Sequence, residues 1–156
     1  MNNFFLNYLD VNANKVFINP DSNMSIEDFV KNELPVNTHY VLLKKPYPDI
    51  NFRSCYTGDF SLPTGSTSPY IVDMTIAKEI FLDFLRNARI PLFSELDVQF
   101  MRALEQGNQS LSTEIGGKKQ VLRDITTMDL STATDLETLK LLWPTEILGP
   151  SPFKNK

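Results

Sequence analysis

The chain has 156 residues, 42% of them hydrophobic, with one cysteine, one histidine, and nineteen acids against fifteen bases for a formal charge of −4. That length suits one domain, or a small domain with a helical arm, whose core buries roughly two thirds of the unfolded surface without a metal or disulfide; Cys55 has no partner for a bridge, and with His39 alone it cannot build a zinc site. The acidic balance repels phosphate backbones, no apolar run reaches about eighteen residues, and the N-terminus lacks a signal peptide's cationic and apolar regions, so a protein of a reducing cytoplasm is expected, with no nucleic-acid or membrane partner.

Phe4 to Leu9 and Lys15 to Ile18 are β-prone runs around Asp10-Val11-Asn12-Ala13-Asn14, a segment that tolerates turns, and together they predict a β-hairpin. Ser25 ahead of Ile26-Glu27-Asp28-Phe29-Val30, with a carboxylate three residues on, predicts a capped helix that Pro35 stops. Thr38 to Leu43, β-branched, aromatic and apolar, is the strongest strand signal in the chain. The order strand, strand, helix, strand makes residues 1–61 a small α+β unit with its helix packed on an antiparallel sheet. The stretch Leu62-Pro63-Thr64-Gly65-Ser66-Thr67-Ser68-Pro69 has no periodicity, and residues 62–73 read as a loop or linker.

After Asp73, a candidate N-cap, Ile76, Ile80, Phe84 and Ala88 recur at four-residue intervals. Pro91 is expected to reset the helix, and Leu92, Leu96, Phe100 and Leu104 carry the stripe to a stop at Gly107-Asn108. Leu111, Ile115, Lys118, Leu122 and Ile125 mark the next helix. Its Gly116-Gly117 pair, at about 1 kcal/mol per glycine relative to alanine, predicts a kink, a frayed turn or a break. So short a connection at Gly107-Asn108 makes the two helices an antiparallel hairpin. Thr134-Asp135-Leu136-Glu137 matches a capping box and opens a short final helix that Trp143-Pro144 ends. The chain therefore reads as α+β, with a helical hairpin region over 74–147 and an extended tail over 148–156.

Catalytic signatures fail. Gly116-Gly117-Lys118-Lys119 only partly matches a phosphate loop, because Ser112 stands at the first glycine and Lys119 at the Ser/Thr that would ligate magnesium. His39 and Cys55 are the available general base and nucleophile, yet no partner carboxylate or activating motif accompanies either; His39 reads as a structural or surface histidine and Cys55 as a core residue. No catalytic residue, metal ligand or cofactor is assigned, and the protein is not expected to be an enzyme. The helical half carries eleven acids and ten bases, against eight and five before Met74. It is nearly neutral but densely charged, which suits either a solvated surface or a partner-binding hairpin with arginines supplying bidentate contacts. Trp143 is open between an interface anchor and a residue packed back on a helix.

Arg86-Asn87-Ala88-Arg89 with Pro91-Leu92 and Leu96-Asp97, then Lys119-Gln120-Val121-Leu122-Arg123-Asp124-Ile125-Thr126, then Trp143-Pro144-Thr145, resembles the C-terminal region of bacteriophage tail and tail-fibre assembly chaperones. More loosely, Leu34 to Tyr40 and Asp49 to Tyr56 are similar to segments of small phage tail-associated proteins, with Asn37 in place of a glycine and Tyr56 in place of a tryptophan. The resemblance implies a protein that binds a tail or tail-fibre polypeptide in the host cytoplasm and aids its folding or oligomerisation. Its alternative is a structural virion component retained in the tail, with Gly149 to Phe153 threading along a neighbour. On this reading Arg89, Arg102, Lys119 and Arg123 orient the partner and Trp143 anchors it, with a homo-oligomer as a further partner state.

Overall fold

The computed structural model describes residues 4–19 and 24–153. Residues 1–3 of the N-terminal reading and 154–156 of the tail reading lie outside the described residues. The fold is mixed α+β, and the chain divides into two compact units, Met1–Asp73 and Met74–Lys156.

In the first unit, strands β1 (Phe4–Leu9) and β2 (Lys15–Ile18) form the predicted hairpin, pairing antiparallel with Leu9 opposite Lys15. Asp10 organises its turn: the carboxylate accepts the backbone N–H groups of Asn12 and Asn14, each at 2.8 Å, and the Asn14 side-chain amide at 2.9 Å. Those bonds to the ionised form hold the Asp10 carboxyl below its ordinary value. Helix α1 (Ile26–Asn32) starts where the sequence placed it, with Ser25 Oγ accepting the Asp28 N–H at 3.0 Å and donating to the Asp28 carboxylate at 2.8 Å.

Strand β3 (Tyr40–Lys44) begins two residues later than expected. Thr38 is held in a turn, donating its N–H and hydroxyl to the Pro35 carbonyl, and Asn37 there adopts a φ of 67°. Short 3-10 turns over Ile50–Cys55 lead into β4 (Tyr56–Thr57). The stretch 62–73, read as a loop or linker, carries β5 (Thr67–Ser68) and β6 (Ile71–Val72). The main sheet has the order β2-β1-β3-β5, with β5 parallel to β3, while β4 and β6 pair antiparallel on their own.

Strand register puts Asn7 opposite both Phe17 and Val41, and it is fully buried. Its amide donates to the Val16 carbonyl at 3.1 Å, and its Oδ1 accepts the Gly58 N–H at 2.9 Å and the Thr57 hydroxyl at 3.4 Å. This node ties the hairpin to β4, and it brings Gly58 so close that a Cβ there would lie 2.3 Å from Val41 Cγ2.

In the second unit, α2 (Met74–Glu105) runs for 32 residues without a restart at Pro91. Proline's fixed φ is helical, and its cost is the missing N–H and the crowding of the preceding turn. Contacts with α3 on both sides of that turn, described below, offset it. Gly107, at φ 66°, closes α2 in a Schellman motif, with Gly107 N–H donating to Leu104 and Asn108 N–H to Ala103. Asn108 Oδ1 then accepts the Leu111 N–H at 3.1 Å and opens α3 (Gln109–Asp124), completing the predicted antiparallel hairpin.

The expected break at Gly116-Gly117 is absent, because α3 is helical through both glycines. Ser112, Ile115 and Leu122 are buried on either side of the pair, and packing of that face overrides the local propensity. Apart from the chain neighbours and the helix's own backbone, no atom lies within 4 Å of where a Cβ would stand at Gly116 or Gly117. Gly116→Ala and Gly117→Ala are therefore expected to stabilise the second unit by about 1 kcal/mol each, read as a higher urea midpoint. A lower midpoint in either variant would show that the glycines serve some other purpose.

Helix α4 (Leu136–Leu141) is capped one residue later than predicted. Asp135, not Thr134, accepts the Thr138 N–H at 2.8 Å, while Thr138 Oγ1 accepts the Asp135 N–H. A further turn, α5 (Thr145–Leu148), follows Pro144. Beyond it the tail folds back: Phe153 is buried, its ring 5.8 Å from Phe81, 4.9 Å from Phe84 and 5.6 Å from Trp143.

Candidate functional site

The two groups with catalytic chemistry do not form a pair. His39 is exposed, with its ring edge-on to Phe60 at 6.1 Å, and no hydrogen bond joins it to Cys55. Cys55 is 1% exposed, and burial pushes its thiol up from an ordinary value near 9 to about 11, with the Asp73 and Asp49 carboxylates adding in the same direction. The folded state thus keeps a proton that the unfolded chain releases. Stability from this source is complete below pH 9 and is lost as pH rises from about 9 to 11, by roughly 3 kcal/mol in all. Urea midpoints of the natural protein should fall over that window more steeply than those of Cys55→Ala. Parallel slopes would show that the buried thiol contributes nothing.

The predicted partner-binding residues take three different places. Arg89 and Lys119 fasten the hairpin internally. Arg89 Nη1 lies 3.1 Å from the Leu122 carbonyl oxygen, 3.4 Å from that of Arg123 and 3.3 Å from Thr126 Oγ1. A cation donating into the carbonyls at the C-terminal end of α3 also meets the negative end of its dipole. Lys119 Nζ sits 2.5 Å from the Asp97 carboxylate and 5.0 Å from the Phe100 ring centroid.

Arg123 is exposed, and its guanidinium lies 5.8 Å from the Phe93 ring centroid, which that of Arg89 approaches at 5.6 Å. Arg102 is exposed, and its guanidinium makes no hydrogen bond or ion pair among the described residues. Trp143 is only 7% exposed. Its indole N–H donates to the Gly149 carbonyl at 3.1 Å, and its ring meets Phe81 and Phe153 edge-on. Of its two readings, the one realised is packing within the helical unit.

What the second unit does present is apolar surface. A groove of about 420 Å³ runs between Leu92, Glu95, Leu96 and Gln99 of α2, Lys118, Val121 and Leu122 of α3, and Glu146 and Ile147 of α5. Val121 and Ile147 remain 46% and 37% exposed. Ile90, Val98, Met101 and Leu104 are also exposed along α2. Leu92 and Leu96 belong to the stripe that the sequence displayed, and Val121 to the motif carrying the resemblance. Glu146 and Ile147 were missed, because α5 has only four residues and no pattern marks it.

Among the described residues no helix is long and apolar enough to cross a membrane, and no group of three or more His, Cys, Asp or Glu side chains is placed to hold a metal ion. Comparison with protein-family models, curated proteins and solved structures returns no match.

Proposed function

We propose that the protein is an assembly chaperone that binds a bacteriophage tail or tail-fibre polypeptide in the host cytoplasm and aids its folding or oligomerisation. The observation that carries this reading is the partly aliphatic groove between the helical hairpin and α5, in the region that bears the resemblance to such chaperones. Unassembled fibre subunits expose apolar surface, and a protein that binds it lowers the concentration of aggregation-prone species by mass action. A groove with half-exposed aliphatic side chains supplies the apolar contact such binding requires.

The test is co-expression with the polypeptide encoded beside it. Soluble, oligomeric tail or fibre product should rise with the natural protein and return to the unassisted level with Val121→Asn, a change at an exposed position. Equal yields with and without the protein would overturn the reading. A stoichiometric amount of the protein in purified particles would do the same, in favour of a retained virion component.

A further inference from the structure

The groove has two chemical halves. Leu92, Leu96, Val121, Leu122 and Ile147 give it an aliphatic lining, and Glu95 and Glu146 line it as carboxylates. Neither carboxylate meets a cation among the described residues. Glu95 accepts a hydrogen bond from the neutral Gln99 amide at 3.3 Å, no ion pair reaches Glu146, and the one lysine lining the groove, Lys118, pairs with Glu114 at 2.7 Å. Two anionic groups beside an aliphatic trough are complementary to an aliphatic segment that carries a positive charge. The α2 wall from Leu92 to Gln99 is about 10 Å long, about two helical turns. That length and the volume of about 420 Å³ suit two or three aliphatic side chains projecting from one face of a short helix.

We infer that the groove receives a short amphipathic helix of the partner, whose aliphatic side chains pack on the aliphatic lining and whose arginine or lysine is bound by Glu95 and Glu146. That the partner is a tail polypeptide rests on the function proposed above. The preference of the groove can be measured independently of it. Fluorescence anisotropy on the full-length protein would use two labelled helical peptides with identical leucine spacing, one with lysines on its polar face and one with glutamates.

The leucine–lysine peptide should bind at least about tenfold more tightly than its glutamate counterpart. Glu95→Gln with Glu146→Gln should weaken it by at least about fivefold, and Val121→Asn should do likewise. Glu79→Gln with Glu105→Gln, an equal charge change outside the groove, should leave it within about twofold, which separates site binding from general attraction to an acidic protein. Equal affinity for the two peptides, or equal losses from the two pairs of neutralisations, would overturn the inference. So would a dimer of the free protein that Val121→Asn dissociates, since the occupant would then be a second copy. Assisted fibre yield with no peptide discrimination would overturn the inference alone, whereas discrimination without assisted yield would overturn only the chaperone reading.

Discussion

Gly58→Ala is expected to destabilise the first unit by about 3 kcal/mol, near the upper end of overpacking costs. The added methyl would lie 2.3 Å from Val41 Cγ2, well inside van der Waals contact. Val41 cannot easily swing aside, because its side chain is β-branched and fully buried in a strand paired on both sides. The backbone at Gly58 would have to retreat instead, lengthening the 2.9 Å bond from its N–H to Asn7 Oδ1 and loosening the polar node that joins β4 to the hairpin. Unfolding by urea, followed by far-ultraviolet circular dichroism, measures the loss. The steric account also predicts its remedy: Val41→Ala removes the obstructing methyls, so the double variant should be more stable than the sum of the single effects by at least about 1 kcal/mol. Strict additivity would refute it.

Trp143→Ala is expected to cost the second unit about 3–5 kcal/mol, the range for emptying a buried aromatic site. The indole touches Phe81 and Phe153 and satisfies the Gly149 carbonyl, so its removal opens a cavity, breaks an aromatic cluster and loses the bond that folds the chain back after α5. Calorimetry should show the transition of this unit lowered by more than about 10 °C, with Trp143→Phe intermediate. An unchanged transition would mean that the indole does not pack as described. Lost partner binding in Trp143→Ala would thus report a damaged scaffold, whereas Val121→Asn changes the presented surface.

Local chemistry was legible at some single-residue signals and not at others such as Pro91 and Thr134. Ser25 caps α1 and Gly107 closes α2, because each acts on backbone groups within a few positions, whereas Asn108, read only as part of the stop of α2, also caps α3. The two-residue strands β4, β5 and β6 exist through pairing with distant segments and are too short for any alternation to show. Asn7 reaches Gly58 across fifty-one positions, so nothing near it in sequence marks it as a buried node. The partner-binding assignment treated charge as a sign of outward orientation. In the hairpin, Phe93 and Phe100 supply ring faces, and the α3 carbonyls and Asp97 supply acceptors, that draw Arg89 and Lys119 into the seam between α2 and α3. The groove was half visible, because Leu92 and Leu96 repeat at helical spacing while its third wall is a four-residue turn.

The boundary between Asp73 and Met74 also sorts the chromophores. All five tyrosines, Tyr8, Tyr40, Tyr47, Tyr56 and Tyr70, precede it, and the single tryptophan, Trp143, follows it. Tryptophan emission excited at the red edge of the spectrum therefore responds to the surroundings of the helical unit, while the tyrosine bands of the near-ultraviolet dichroism respond to those of the sheet unit. A denaturant titration read in both channels separates the two stabilities without a label or a truncation. Coincident curves would mean that the units unfold as one, and a gap between them would say which yields first.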